Sequence, residues 1–378
     1  MSGSPRIAVD LLGGDDAPAV VVDGAVRAAR ADRDLHLMLV GPKAATDAVI
    51  GALDPHDRGR VAVATADDGV AMTDPVARGA DARTTIGAAL SALAAGRVDA
   101  VVSAGASGAT VAASVMAVGR LHGVRRPALA AILPGVHGPL VLLDVGAGMQ
   151  VNPVDLVQHA ALGAGYARLG AGVAHPRVGL LSVGSEPGKG DRLRRAADAA
   201  LRVHPLGAAS YVGPVEGHDV VLGRRADVVV TDGFTGNVLL KGIEAALAAA
   251  PGAYPPTAVP RAAVLLGVAG TVVVCHGAAH GADLASGIAL AAGLVRTQVV
   301  SHLGDAVGLG TGGTRARHED DQTAVASSGT GQAGHHSDHL AAGGTRPGQD
   351  RHEVDPPGGR DSSPAGPAQP ANVTEVSR

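Results

Sequence analysis

The chain has 378 residues, 46% of them hydrophobic, yet only one Phe, three Tyr and no Trp, so a full-sized core must be built from Ala, Val, Leu and Gly. The formal net charge of −4 is carried by residues 304–378, where ten acidic residues meet six basic ones; the neutral body excludes the basic footprint of a nucleic-acid-binding domain. A single cysteine, Cys275, excludes an internal disulfide framework and fits a reducing cytoplasm.

The N-terminal stretch MSGSPRIAVDLLGG is too briefly apolar for a secretory signal and meets an acid at Asp10; residues 6–12 read as a strand. A helix is expected over 17–31, then strands at 35–41 and 61–66. A helix over 84–96 leads to a strand at 98–105, which turns through SAGASGA into a helix at 108–122. Next come a strand at 138–146, a helix at 153–170, a strand at 177–184 and a helix at 191–203. The strand at 226–233 runs into a helix at 236–250. The longest apolar run, Ala262 to Cys275, is broken by glycines and falls short of the roughly 20 residues of a membrane span; its end belongs to a strand at 270–277.

Continuous apolar strands separated by helix-length segments predict an α/β fold with a mostly parallel sheet covered on both faces. Residues 1–303 carry this pattern. Residues 304–378 hold two leucines, no isoleucine and no aromatic, and such a segment cannot bury enough apolar surface to offset chain entropy, so a disordered tail is expected. The HHSDH tract at 335–339 is read as incidental, and no metal or cofactor is expected.

Chemistry is expected where Gly-rich turns lead from strands into helices, because helix N-termini direct unpaired N–H groups and a positive dipole end at the sheet edge. In SVGSEPGKGDRLRR the spacing is not that of a nucleotide-binding P-loop: three residues separate Gly184 from Gly188, and Gly190 follows Lys189. An anion site remains, built from Gly184, Ser185, Gly188, Gly190 and the Lys189 point charge. The turn with Ser103, Gly105 and Ser107 repeats the arrangement.

TDGFTGNVLLKG, residues 231–242, gathers the chain's scarcest residues: its only Phe and one each of its three Asn and three Lys. Thr235 reads as the cap of the following helix, Asn237 and Lys241 share a helix face, and Asp232 ends the strand. A blander reading makes Asp232 a turn former and pairs Lys241 with Glu244. His276 closes another strand. Cys275 lacks an activating environment, and no G-x-S-x-G elbow appears.

These stretches, with IAVDLLGGDDAP, GRLHGVRRPALA, LLDVGAG and LLGVAGTVVVCHG, resemble over residues 6–300 the bacterial phosphate acyltransferases of phospholipid synthesis. The resemblance implies a three-layer α/β sandwich, similar to phosphotransacetylase and to isocitrate and isopropylmalate dehydrogenases. It implies transfer of a fatty acyl group from acyl carrier protein to inorganic phosphate by a cytoplasmic homodimer that approaches the membrane peripherally. Alternatives are a short-chain acyl-CoA phosphotransacylase, or a non-catalytic homologue that binds phosphate or carrier protein.

By the same resemblance Lys189, Asp232, Asn237, Lys241 and His276 are catalytic. Gly184, Ser185, Gly188, Gly190, Ser103, Gly105 and Ser107 bind phosphate, and Asp10, Gly13, Gly14, Asp15, Gly233 and Phe234 bind substrate. The chain departs from the family pattern at Ala106, Gly148 and Ala269, each in place of Asn. Its basic residues before Thr84–Thr85 are reduced to Arg78 and Arg83, and a short segment, 251–264, replaces a longer helical one.

Overall fold

Eleven strands join into one sheet in the computed structural model, which describes residues 3–71, 73–249 and 262–306. In chain order they are β1 (Arg6–Asp10), β2 (His36–Gly41), β3 (Val61–Thr65), β4 (Ala100–Ser103), β5 (Ala128–Gly135), β6 (Gly138–Leu143), β7 (Arg177–Leu181), β8 (Ser210–Val215), β9 (Val228–Val230), β10 (Ala262–Leu266) and β11 (Thr271–Cys275). The helices are α1 (Ala19–Ala31), α2 (Lys43–Ala52), α3 (Thr85–Ala94), α4 (Ser107–Val118), α5 (Pro153–Gly170), α6 (Arg192–Leu201), α7 (Gly217–Leu222), α8 (Gly233–Ala249), α9 (Gly281–Arg296) and α10 (Val299–Ala306).

The strand order is β3-β2-β1-β4-β11-β10-β5-β6-β9-β7-β8. Pairing is parallel except at β11–β10, β10–β5 and β5–β6. Those three central pairings reverse strand sense, so the chain makes two parallel blocks, β3-β2-β1-β4-β11 on one flank and β6-β9-β7-β8 on the other.

Each buried strand feeds two cores because successive side chains point to opposite faces. Ile7 and Val9 join one cluster with α1, α5 and α9, while Ala8 joins the other with α3 and α4. Val102 and Val101 split the same way, as do Val264 and Leu265. This double burial accounts for the uninterrupted apolar runs and yields the three-layer α/β sandwich expected from them. Small residues let helices of one layer pack closely: a Cβ on Gly24 of α1 would stand 2.4 Å from Leu284 Cβ of α9.

Sequence pattern missed β5, β8, β10 and the helices α2, α7, α9 and α10. The run from Ala262 to Cys275 is a hairpin, turned at Gly267 with φ +92°. The helix expected over 236–250 begins three residues earlier, at Gly233, because Asp232 and not Thr235 caps it: the Thr235 N–H donates to Asp232 Oδ1 at 2.9 Å. The tail lies outside the described residues apart from 304–306, which finish α10, and so does the connection 251–264 apart from 262–264, which begin β10.

Candidate functional site

Adjacent parallel strands β6, β9 and β7 end on one edge, and the turn after each contributes to one cluster. After β6, Asp144 is fully buried and accepts four backbone N–H groups: from Leu129 (3.0 Å), Gly146 (3.0 Å) and Ala147 (2.8 Å) on Oδ1, and from Gly148 (2.6 Å) on Oδ2. Burial pushes this carboxyl above the ordinary range, opposed by the neighbouring His159 and by those N–H donors.

The start of α8 lies directly on the Asp144 turn. A Cβ on Gly236 would come 1.9 Å from Asp144 O, and one on Gly233 would come 2.8 Å from Gly148 O. Both glycines of DGFTGN are therefore required by close approach of two backbones. Gly233 N–H donates to Gly148 O (2.9 Å), and Asn237 Nδ2 donates to Val145 O (3.1 Å). Asn237 thus clamps the turn with its amide rather than presenting it outward.

After β7 the 182–190 segment turns at Gly188 (φ +83°) and Gly190 (φ +91°) before α6, whose N-cap Asp191 accepts from Arg194 N–H at 2.8 Å. The Lys189 stem folds over Gly184, where an added Cβ would meet Lys189 Cγ at 3.1 Å. Lys189 is exposed and forms no side-chain hydrogen bond or ion pair among the described residues. Ser185 is half-buried in the same turn.

After β9, Asp232 is buried and ionised. Its burial works against the charge, but the backbone N–H and hydroxyl of Thr235 and the Arg194 guanidinium together hold the carboxyl below its usual range. Arg194 Nη2 donates to Asp232 Oδ2 and to Thr235 Oγ1 (3.1 Å), while Nη1 bonds Asp191 Oδ2 (2.9 Å). Two helix starts, one uncommitted ammonium and two internally satisfied carboxylates gather on this edge, and helix N-termini of this kind favour negative charge.

Asp10, Gly13, Gly14, Asp15, Ser103 and Gly105 form a second cluster, at the ends of β1, β4 and β11. Ser103 Oγ donates to Asp10 Oδ2 (2.6 Å) and accepts from Gly105 N–H (3.0 Å). Gly13 closes against them, since a Cβ there would meet Gly105 N at 2.7 Å. Beside it Gly14 has φ +120°, and Asp15 N–H donates to Gly277 O at 2.8 Å. Burial pushes the Asp10 carboxyl up, opposed by the Ser103 and Thr85 hydroxyls and the N–H groups of Leu12 and Gly13. Asp10 and Ser103 are thus spent on each other, leaving beside them a cavity of only about 10 Å³, room for one water. Ser107 opens α4 and is exposed.

Helix α8 links the clusters. Lys241 Nζ pairs with Glu244 Oε2 at 3.2 Å, and His276 Nε2 lies 3.6 Å from the same carboxylate oxygen. Lys241 is nine residues beyond Asp232, about 13 Å along a helix rising 1.5 Å per residue. The structure therefore does not bring Lys241 and His276 into hydrogen-bond reach of Asp232 or Lys189, and Asp232, Asn237 and Lys241, expected at one edge of the sheet, lie in a line along α8. Phe234 is 64% exposed, beside the buried Asp232.

Sequence reasoning missed Asp144, Arg194 and Thr231. Asp144 stands in the LLDVGAG stretch, and its signal was an acid between a strand and a Gly-rich turn. The signal for Arg194 was RLRR opening a helix, where the dipole disfavours cations.

Among the described residues, one group could hold a metal, Asp54, His56 and Asp57 between α2 and β3, with Asp57 already paired to Arg60 at 2.6 Å. No helix of the described residues is long and apolar enough to cross a membrane. The HHSDH tract lies outside them.

A family model described as "Fatty acid synthesis protein" matches residues 5–251. A phosphate acyltransferase of Thermobifida fusca is 40% identical over 338 residues, covering 82% of this chain and 92% of the relative. One from Heliobacterium modesticaldum is 39% identical over 303 residues, covering 72% and 88%. Among solved structures, a phosphotransacetylase from Streptococcus pyogenes has a TM-score of 0.55 at 14% identity, covering 79% of this chain and 94% of that one. EutD phosphotransacetylase from Staphylococcus aureus has 0.53 at 15%, covering 78% and 96%. At that identity the likeness is one of fold.

Proposed function

Because this chain belongs to the fatty acid synthesis protein family, with phosphate acyltransferases among its relatives, we propose that it moves an acyl group from a thioester onto inorganic phosphate. The acyl group is a fatty chain carried on acyl carrier protein, and the product is acyl phosphate for phospholipid synthesis. The observation that carries the reading is the edge after β6, β7 and β9, where the starts of α6 and α8 flank the uncommitted Lys189.

Phosphate is the nucleophile. One of its oxygens attacks the thioester carbonyl, the tetrahedral oxyanion collapses, the C–S bond breaks and the thiolate departs. No covalent protein nucleophile is required, and Cys275 is unsuited to be one: burial, with Asp283 adding to it, pushes its thiol up to about 12. The protein's task is to hold a dianion against the carbonyl and to stabilise developing charge with preorganised donors. Lys189 and the 184–190 turn bind the phosphate, while Asp144, Asp232 and Asn237 fix the turns around it. Thiolate is a good leaving group, so Lys241, midway along α8, and His276, after β11, serve the donor's carrier rather than the reacting carbon. The reading extends to a cytoplasmic, membrane-peripheral homodimer.

The test incubates the purified chain with palmitoyl-acyl carrier protein and phosphate and follows phosphate-dependent loss of thioester. Turnover only with acetyl-CoA would redirect the reading to short-chain donors. Absence of turnover with both donors would overturn the enzymatic reading and leave a homologue that binds phosphate or carrier protein.

A further inference from the structure

Helix α6 opens with Arg192, Arg194 and Arg195, although cations at a helix N-terminus work against the dipole. Arg192 and Arg195 are exposed, but the Arg194 side chain is 14% exposed and turned inward. Its Nη2 donates to Asp232, to Thr235 Oγ1 at 3.1 Å and to Thr231 Oγ1 at 3.5 Å, and its Nη1 donates to Asp191 Oδ2 at 2.9 Å. Among the described residues, the Nη2 bonds are the only hydrogen bonds joining segment 182–202 to segment 231–249. The seat is built for this side chain: a Cβ on Gly190 would come 2.8 Å from both Arg194 Cβ and Ser182 Oγ. A planar guanidinium can satisfy Asp191 and Asp232 with different nitrogens, which a single ammonium cannot.

We propose that Arg194 is a positioning residue of the anion site, neutralising Asp232 and tying the β9–α8 turn to the Lys189 turn, so that phosphate meets N–H donors and Lys189 rather than a bare carboxylate. This rests on reading the site as one for phosphate. Arg194 faces Asp232 and the two threonines, so it acts through them and not on the ligand. Without it, Asp232 still caps α8 but its negative charge stands uncompensated beside an incoming dianion, and the two turns lose their shared anchor.

The test is calorimetric titration of the full chain with inorganic phosphate, which needs no acyl donor. Arg194→Met is expected to weaken phosphate binding about tenfold or more, Arg194→Lys to recover part of the loss, and Arg195→Met to stay within about twofold of wild type. The discriminating variant is Arg194→Met with Asp232→Asn, which removes the bare charge and regains most of the affinity; a purely structural role for Arg194 predicts no such rescue. Folded Arg194→Met that binds phosphate like wild type, or a double variant no tighter than Arg194→Met, overturns the proposal. Should Arg194→Met not fold, Arg194→Lys alone decides: it must bind phosphate more weakly than wild type, and wild-type affinity would sink the idea. Wild type that binds phosphate but turns over no thioester is a separate result, which discards acyl transfer and leaves Arg194 to be judged by the binding data.

Discussion

Replacing Gly236 by alanine places a methyl group where the fold has no room. The added Cβ would stand 1.9 Å from Asp144 O, 3.0 Å from Asp144 C and 2.9 Å from Thr231 Cγ2, so backbone and not a flexible side chain blocks it. Relief requires the start of α8 and the Asp144 turn to separate by more than about 1 Å, because interiors at this density have little slack. Three hydrogen bonds span that seam: Asp144 N–H to Thr231 O (3.1 Å), Gly233 N–H to Gly148 O (2.9 Å) and Asn237 Nδ2 to Val145 O (3.1 Å). At about 1 kcal/mol net for each bond, with about 2 kcal/mol of overpacking and about 1 kcal/mol returned by the better helix former, the cost is about 4 kcal/mol. For a folded body of about 300 residues that corresponds to a fall in Tm of roughly 6 °C, read by scanning calorimetry. A misplacement of this size at the site also costs about 100-fold in turnover. Gly242→Ala on the same helix is the control: nothing lies within 4 Å of its Cβ position, so it should stabilise by about 0.5–1 kcal/mol. Gly236→Ala melting at or above wild type would refute the reasoning.

Lys189→Ala should leave Tm nearly unchanged, because among the described residues the side chain has no hydrogen bond or ion pair to lose, while phosphate-dependent thioester cleavage falls about 100-fold or more; retained activity would remove Lys189 from the mechanism. Asn237→Ala frees the 144–148 turn at one point and should cost about 1–2 kcal/mol in urea unfolding, with activity reduced but present. Cys275, buried with its thiol pushed up to about 12, should resist alkylation at pH 8 in the folded chain, and Cys275→Ala should stay active; rapid labelling or an inactive, folded variant would contradict this. Asp10 has its carboxyl raised by burial, so the folded state holds the proton more tightly than the unfolded one, and stability is lost as pH rises from about 4 through the folded value. Asp10→Asn lacks that loss, and its Tm relative to wild type should climb as pH is raised; a constant difference would show that Asp10 keeps an ordinary titration.

The layers and most of the sheet were legible because their causes are local. Val101 and Val102 point to opposite cores, so both must be apolar, and a continuous apolar run announces that burial in the chain itself. The turn after β7 was legible for the same reason, since glycines at 188 and 190 mark positive φ directly. Strands such as β5, with Ala128, Ala130 and Ala131 in place of β-branched residues, gave no such mark; their pairing with β6 and β10 holds them in the sheet.

By itself, then, the amino-acid sequence determined the secondary-structure alternation, the three-layer α/β class, the family and the turns where chemistry is to be sought. Tertiary structure alone decided which of those turns meet. Asp232 finds Arg194 across 38 residues and Ser103 finds Asp10 across 93, distances at which spacing along the chain carries no information about approach in space. The antiparallel β5–β6 and β10–β11 hairpins divide the predicted residues into two clusters, and the rise of α8 sets the distance between Asp232 and Lys241.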